Sequence, residues 1–223
     1  MHLDSVVFEF LSVLEQNNNR DWFQKNKNMY QAALTSVQHF AGELIAGVSS
    51  FDPSVGNLEA KDTMFRIYRD VRFSPDKSPY KTHFGVFITP NGKKSNDAGY
   101  YLHIQNNESI LGGGLWCPEN TLLKKIREEI YYTPEDLMQI IENKKFKSTF
   151  GGLTDFESLK RPPKGYTADF EYIQLLQYRH YLVEYKVSNK DVLADNFFEL
   201  SINTFKTMFP LVDYMNKIIR LED

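Results

Sequence analysis

This chain of 223 residues contains a single cysteine, Cys117. An internal disulfide framework and a thiolate-clamped structural zinc are therefore excluded, and a reducing compartment, the cytoplasm, is the expected location. Long apolar runs are missing as well. The opening residues Met1-His2-Leu3-Asp4-Ser5 have neither a basic stretch nor an apolar core, so no signal peptide, membrane span or membrane partner is expected. Nor is there an excess of positive charge: Lys+Arg 26 against Asp+Glu 29 gives a formal net charge of −3, so any attraction for anions must be local. No repeat, low-complexity run or Gly/Ser linker divides the sequence, and residues 1–223 read as one domain. There is no Gly-x-x-x-x-Gly-Lys-Ser/Thr phosphate loop, dinucleotide fingerprint or close-spaced histidine and carboxylate motif, so the sequence leaves any cofactor unknown and no metal site is expected.

What is present is an ordinary globular composition with a surplus of Phe (17) and Tyr (13). Ser5 is placed to cap a helix over Val6 to Glu15, where Val7, Phe8, Leu11 and Leu14 fall on one face, and Asn17-Asn18-Asn19 stops it. Asn19 then caps a long helix from Arg20 to Val48. From Thr63 to Phe73 the pattern alternates, with Phe65, Ile67, Val71 and Phe73 on one side and Arg66, Tyr68, Asp70 and Arg72 on the other, which predicts a strand. A two-proline loop, Ser74 to Pro79, follows. Further strands are predicted at His83 to Thr89, Gly99 to Gln105, Ser109 to Trp116 and Tyr181 to Val187, with a hairpin signal at Asn91-Gly92. Gly112-Gly113-Gly114 marks a bulge or a close backbone approach. Helices are expected from Pro118 to Tyr132, Thr133 to Glu142, Asp169 to Gln177, and Asp191 to Leu221 with an interruption at Pro210. Phe146 to Gly165 reads as turn-rich. The sum is an α+β fold: an antiparallel sheet of four or five strands flanked by helices from both ends of the chain.

The densest chemistry lies between Arg66 and His83. Arg66, Arg69, Arg72, Lys77 and Lys81 accompany Tyr68 and Tyr80, and together with Tyr80 these cations form the candidate anion site, because guanidinium groups present planar donors that match phosphate or carboxylate. Asp70 and His83 are the candidates for handling a proton. Arg69 falls on the apolar side of the predicted strand, so a carboxylate such as Asp21 or Asp76 is expected to hold it. The competing reading is a structural ion-pair network that braces the proline loop, with Arg69 and Asp70 its foremost members.

The segments Asn17-Asn18-Asn19-Arg20-Asp21-Trp22-Phe23, Gly99-Tyr100-Tyr101-Leu102-His103, Gly112-Gly113-Gly114-Leu115-Trp116 and Lys160-Arg161-Pro162-Pro163-Lys164-Gly165-Tyr166 surround the central pattern Arg-x-x-Arg-Asp-x-Arg-Phe followed by Lys-x-Pro-Tyr-Lys. That pattern is met at Arg66, Arg69, Asp70, Arg72, Phe73, Lys77, Pro79, Tyr80 and Lys81. Together these segments resemble the bacterial and fungal conserved hypothetical family catalogued as domain of unknown function two-four-six-one, across nearly the whole chain. The resemblance brings with it no activity, cofactor or catalytic residue.

Other candidates are weaker. His83 and His103 lie on neighbouring predicted strands as possible general bases, with structural hydrogen-bonded histidines the simpler reading. Trp22 and Phe23 read as core, and Asp21 as a spare carboxylate. Cys117 precedes a predicted helix start, which favours a thiolate. Lys160, Arg161 and Lys164 either extend the basic patch or form a solvated loop. Three functions follow: binding of, or action on, a phosphorylated or carboxylated small molecule; a nucleic-acid-binding module in which Tyr80, Tyr100 or Trp116 stacks on bases; or a protein that grips an acidic partner or its own second copy.

Overall fold

The computed structural model describes residues 2–221. Its first helix, α1 (Val6–Gln16), buries Val7, Phe8, Phe10, Leu11 and Leu14. Ser5 does not cap it; the Ser5 hydroxyl donates to Glu9 Oε1, and the Asp4 carboxylate accepts the Val6 N–H instead. Asn19 does cap its helix, accepting from the Trp22 N–H at 2.9 Å. The expected long helix is in fact two, α2 (Arg20–Lys25) and α3 (Lys27–Ser49), because Asn26 leaves helical geometry and its side-chain amide bonds back to the Trp22 carbonyl. A 3-10 turn at Pro53–Val55 and a four-residue helix, α4 (Ala60–Thr63), lead into the sheet.

The sheet is a four-stranded antiparallel array in the order β1 (Phe84–Ile88), β2 (Gly99–Ile104), β3 (Ser109–Leu115), β4 (Tyr181–Val187). The predicted strand over Thr63 to Phe73 is not one of them. Met64 bridges Val86 and the Phe65 N–H reaches the Gly85 carbonyl at the edge of β1, after which the segment turns to pair with residues 79–81 through the Tyr68–Tyr80 bridge. Pro75 and Pro79 have no N–H to extend that pairing, and the alternation breaks accordingly: Met64 and Ile67 are buried, while Phe65 and Phe73 face outward.

One face of the sheet is covered. Tyr100, Leu102 and Leu111 point toward α10 (Phe197–Arg220) and α3, and Gly113 lets Met208 of α10 approach closely. Pro210 does not interrupt α10; it sits on the exposed side of the helix, as does Lys206 four residues before it, whose carbonyl loses a helix partner. The helical region expected from Asp191 instead opens with a short helix, α9 (Asn189–Val192), fixed by a Ser188–Asp191 capping box, and α10 begins at Phe197. Between β3 and β4 come α5 (Asn120–Tyr132), α6 (Pro134–Ile141), α7 (Lys144–Phe150) and α8 (Ile173–Gln177). Helix α5 therefore starts two residues past Pro118, α7 occupies the head of the stretch expected to be turns, and α8 is shorter than predicted from Asp169. The Asn91-Gly92 turn is present, with Gly92 at φ 75°, but it sits inside a longer connection across 89–98. Asn216 of α10 pins that connection by bonding both the N–H and the carbonyl of Ala98. Among the described residues, no helix is long and apolar enough to cross a membrane.

Candidate functional site

The segment from Arg66 to His83 is a narrow hairpin anchored at its base. Asn18 pairs with the peptide of Tyr80 in both directions, donating to its carbonyl at 2.9 Å and accepting its N–H at 3.1 Å. Tyr80 is 3% exposed and stacks on Phe23, with ring centroids 4.0 Å apart and planes 14° from parallel. Arg69 pins the loop from within: its guanidinium bonds Asp76, the Ser74 hydroxyl and the Ser78 carbonyl. The expected carboxylate partner is thus Asp76, whose pKa falls to about 2 under hydrogen bonds from the Ser78 side chain and backbone and then from Arg69. Arg72 holds Asp70 through two hydrogen bonds, at 2.9 and 2.6 Å, which lower the Asp70 pKa. Lys77 donates to the Val71 carbonyl at 3.0 Å. Three of the five cations are therefore engaged within the loop.

Arg66 and Lys81 are different. Neither side chain makes a hydrogen bond or salt bridge with another described residue, although the Lys81 N–H donates to the Ile67 carbonyl. Lys81 is half-buried, lies 5.3 Å from the centroid of the Phe65 ring, and has its pKa lowered first by burial and then by Arg66. His83, two residues on, points to the same side and packs on His103 with centroids 4.3 Å apart. Burial is the main cause that pushes its pKa down to about 4, followed by His103, Lys81 and Arg69. Basic groups converge here while the neighbouring carboxylates Asp70 and Asp76 are already engaged.

The tautomer of His103 follows from its neighbours. Gln105 donates its amide to Glu108 at 2.6 Å, so its oxygen faces His103 Nε2, which must carry the proton of that 2.9 Å contact. Nδ1 is then the acceptor of the Tyr101 hydroxyl at 2.9 Å. Burial lowers the His103 pKa against the pull of Gln105 and Glu108, while burial and then Glu184 push Tyr101 up to about 12.

These side chains occupy the second face of the sheet. Strand register sets Phe87, Tyr101, Gly112 and Glu184 in one row, and Gly99 with Gly114 in the next. Glycines there leave a floor without side chains. Above it lies a cavity of about 480 Å³ whose aromatic boundary comprises Phe65, Phe87, Tyr101, Trp116 and Phe156. The connection across 89–98 supplies a polar rim that includes Lys93 and Asp97. Trp116 is backed by the His180 ring, stacked at 4.5 Å, and meets Phe156 edge-on. Glu184 lines the cavity and its carboxylate makes no hydrogen bond or salt bridge with another described residue; burial raises its pKa, with Lys186 pulling the other way.

A family model described as "Conserved hypothetical protein (DUF2461)" matches residues 6–214. The chain belongs to this family. Searches of curated proteins and of solved structures found no match. The segment and its anchor divide physically: Asn18, Phe23 and Tyr80 form the clamp, Arg69 with Asp76 the loop staple, and Arg66 and Lys81 the charge left outside the loop, with His83 beside them.

The remaining candidates lie apart from this cluster. Lys160, Arg161 and Lys164 are exposed and do not line the cavity, although Phe156 of the same stretch does. Cys117 is exposed at φ 50°, outside the helix start at Asn120, and its N–H donates to His180 Nδ1. Asp21 is exposed and Trp22 packs against the core. Among the described residues no group of three or more His, Cys, Asp and Glu is arranged to hold a metal ion. Sequence reasoning missed Phe87, Phe156 and Glu184. Glu184 carried a partial signal, being an acid directly after the apolar Tyr181-Leu182-Val183 of a predicted strand.

Proposed function

We propose that the protein binds a small phosphorylated or carboxylated molecule at the edge of the open sheet face, where Arg66 and Lys81 meet the anion and His83 and His103 flank it. The observation that carries this reading is Lys81: a half-buried ammonium beside an arginine and two imidazoles, with no carboxylate bonded to it. Like charges held together store repulsion that an anion relieves, which favours binding. His83, neutral near pH 7, is the group suited to take a proton from a bound ligand. Arg69, Arg72 and Lys77 serve chiefly to shape the loop, and Asp70 stays with Arg72 at its tip. A small molecule is favoured over nucleic acid because the free cations are few and close together and the chain is negative overall. The single free thiol suits a cytoplasmic ligand.

Thermal melting with phosphate, sulfate and malonate at about 10 mM tests the proposal, since non-specific salting effects are small there. An anion present at tenfold its Kd adds about 1.4 kcal/mol of stability, a rise of roughly 3–6 °C for a chain of this size. Arg66→Ala and Lys81→Gln should fold normally and lose that response. The groups facing His83 are His103, Lys81 and Arg69, all basic. An anion among them raises the His83 pKa from about 4, so protons are taken up on binding and sulfate should bind more tightly at pH 5 than at pH 8. Equal responses in wild type and both variants, or no response to any of the anions, would overturn the assignment.

A further inference from the structure

The glycine-floored cavity is a second feature, separate in its chemistry from the cationic edge although Phe65 belongs to both. We infer that it is a binding site for a flat heteroaromatic ring bearing an amino group, with the ring enclosed by Phe65, Phe87, Trp116 and Phe156 and the amino group donating to the Glu184 carboxylate.

Four observations support this. The floor is bare because Gly99, Gly112 and Gly114 occupy neighbouring positions of the outer face, and a side chain is sterically barred at two of them: a Cβ would lie 2.4 Å from the Ile88 carbonyl oxygen at Gly99 and 2.2 Å from the Tyr181 carbonyl oxygen at Gly114. A flat floor admits the face of a ring. The boundary is aromatic on several sides and comes from elements far apart in sequence, so the enclosure is a product of the fold. Its volume of about 480 Å³ falls within the range of small-molecule sites, and a compact ammonium head alone would leave most of it empty. Finally, Glu184 is a half-buried carboxylate lining an apolar cavity with no donor bonded to it. An occupant that displaces water from such a group has to supply a hydrogen-bond donor in its place.

Tyr101 adds polarity without competing for that role. Its hydroxyl proton is spent on His103 Nδ1, so toward an occupant it is only a neutral acceptor, a weaker partner for an amino group than the charged Glu184.

Neutral nucleosides separate this inference from the anion site, because they carry the ring and no phosphate. Adenosine, cytidine and guanosine, together with amine-free purine riboside, would be titrated into the full chain while Trp fluorescence and heat are recorded. At least one amino-bearing nucleoside should bind with Kd below about 1 mM, the weak end of specific affinity. Glu184→Gln should weaken that nucleoside roughly 10- to 100-fold, the value of one hydrogen bond to a charged group, and leave purine riboside nearly unchanged. Gly112→Val should abolish binding of every probe. A Cβ at Gly112 meets only ordinary contacts, the nearest at 3.5 Å, so the added methyls project into the cavity. If Gly112→Val does not fold, Glu184→Gln carries the test unaided. Absence of binding by all the amino-bearing nucleosides, or affinities unaltered by Glu184→Gln, would overturn the inference whatever the response to phosphate.

Discussion

Three consecutive glycines in one strand should respond to alanine in three different ways. At Gly114, φ is 122° and an added Cβ would lie 2.2 Å from the Tyr181 carbonyl oxygen and 2.7 Å from the Leu182 Cα, both backbone atoms of β4 that no rotamer change can remove. Forced overpacking costs about 1–3 kcal/mol, and a non-glycine residue held in that region costs about 1–3 kcal/mol more. Gly114→Ala should therefore lose about 4 kcal/mol, which for a chain of this size lowers Tm by roughly 8–16 °C. At Gly113 the nearest atom is Met208 Sδ at 2.7 Å, on a flexible side chain, but the Gly99 carbonyl at 3.3 Å limits the escape. A loss of about 1–2 kcal/mol is expected there. Gly112 has no neighbour closer than 3.5 Å and no positive φ, so alanine should be neutral or gain up to about 1 kcal/mol from the lower entropy of its unfolded chain. Urea denaturation followed by far-UV circular dichroism gives the order directly, provided m is unchanged across the series. Gly112→Ala as damaging as Gly114→Ala, or Gly114→Ala within about 0.5 kcal/mol of wild type, would refute the account of a close-packed second row and an open first one.

Asn18→Ala removes both hydrogen bonds to the Tyr80 peptide and should lower stability by about 1–3 kcal/mol in the same denaturation assay; a loss below about 0.3 kcal/mol would mean that the clamp carries no weight. Lys81→Gln should raise the His83 pKa from about 4, without restoring its ordinary value, because burial is the larger cause and remains. Titration of the imidazole signals by NMR measures this directly. The sign for stability is fixed: a histidine with a depressed folded pKa contributes stability that is present above the unfolded value and is lost as pH falls through the folded one. The wild-type chain should thus lose stability between about pH 6.5 and pH 4, and the variant should lose less. An identical acid profile for the two would remove Lys81 from the causes.

The elements with a clean period were legible in the sequence. Helix α1, the strands β1 to β4 and the α+β arrangement follow from local spacing, since a core-facing stripe and a half-buried strand each impose a repeat that survives tertiary packing. The segment after Thr63 imitated a strand because its residues alternate in polarity, yet its path is set by the proline loop that follows it and by the Asn18 clamp, and the clamp acts through a contact distant in sequence. The break at Asn26 was hidden for a related reason: an asparagine whose amide replaces a helix hydrogen bond looks like any polar helix residue. Within the site, the expected hold on Arg69 came from Asp76, and the cationic segment lies at the edge of the open sheet face. The cavity itself was not legible, since Phe65, Trp116, Phe156 and Glu184 meet only through the sheet register and the irregular stretch before α8.

The same hairpin explains why structural and ligand-facing residues are interleaved so tightly. Successive residues of an extended chain point to opposite sides. Tyr80 turns inward onto Phe23, and its peptide is fixed by Asn18; Lys81 and His83 must then both turn outward, one over Phe65 and the other onto His103. The clamp thereby sets the position of the charges, and the Arg69–Asp76 contact closes the loop that returns the chain to Arg66. A loss of anion response in Asn18→Ala would consequently report displaced geometry. Only Arg66 and Lys81 variants that retain wild-type stability isolate the charges themselves, which is why stability and ligand response have to be measured on the same samples.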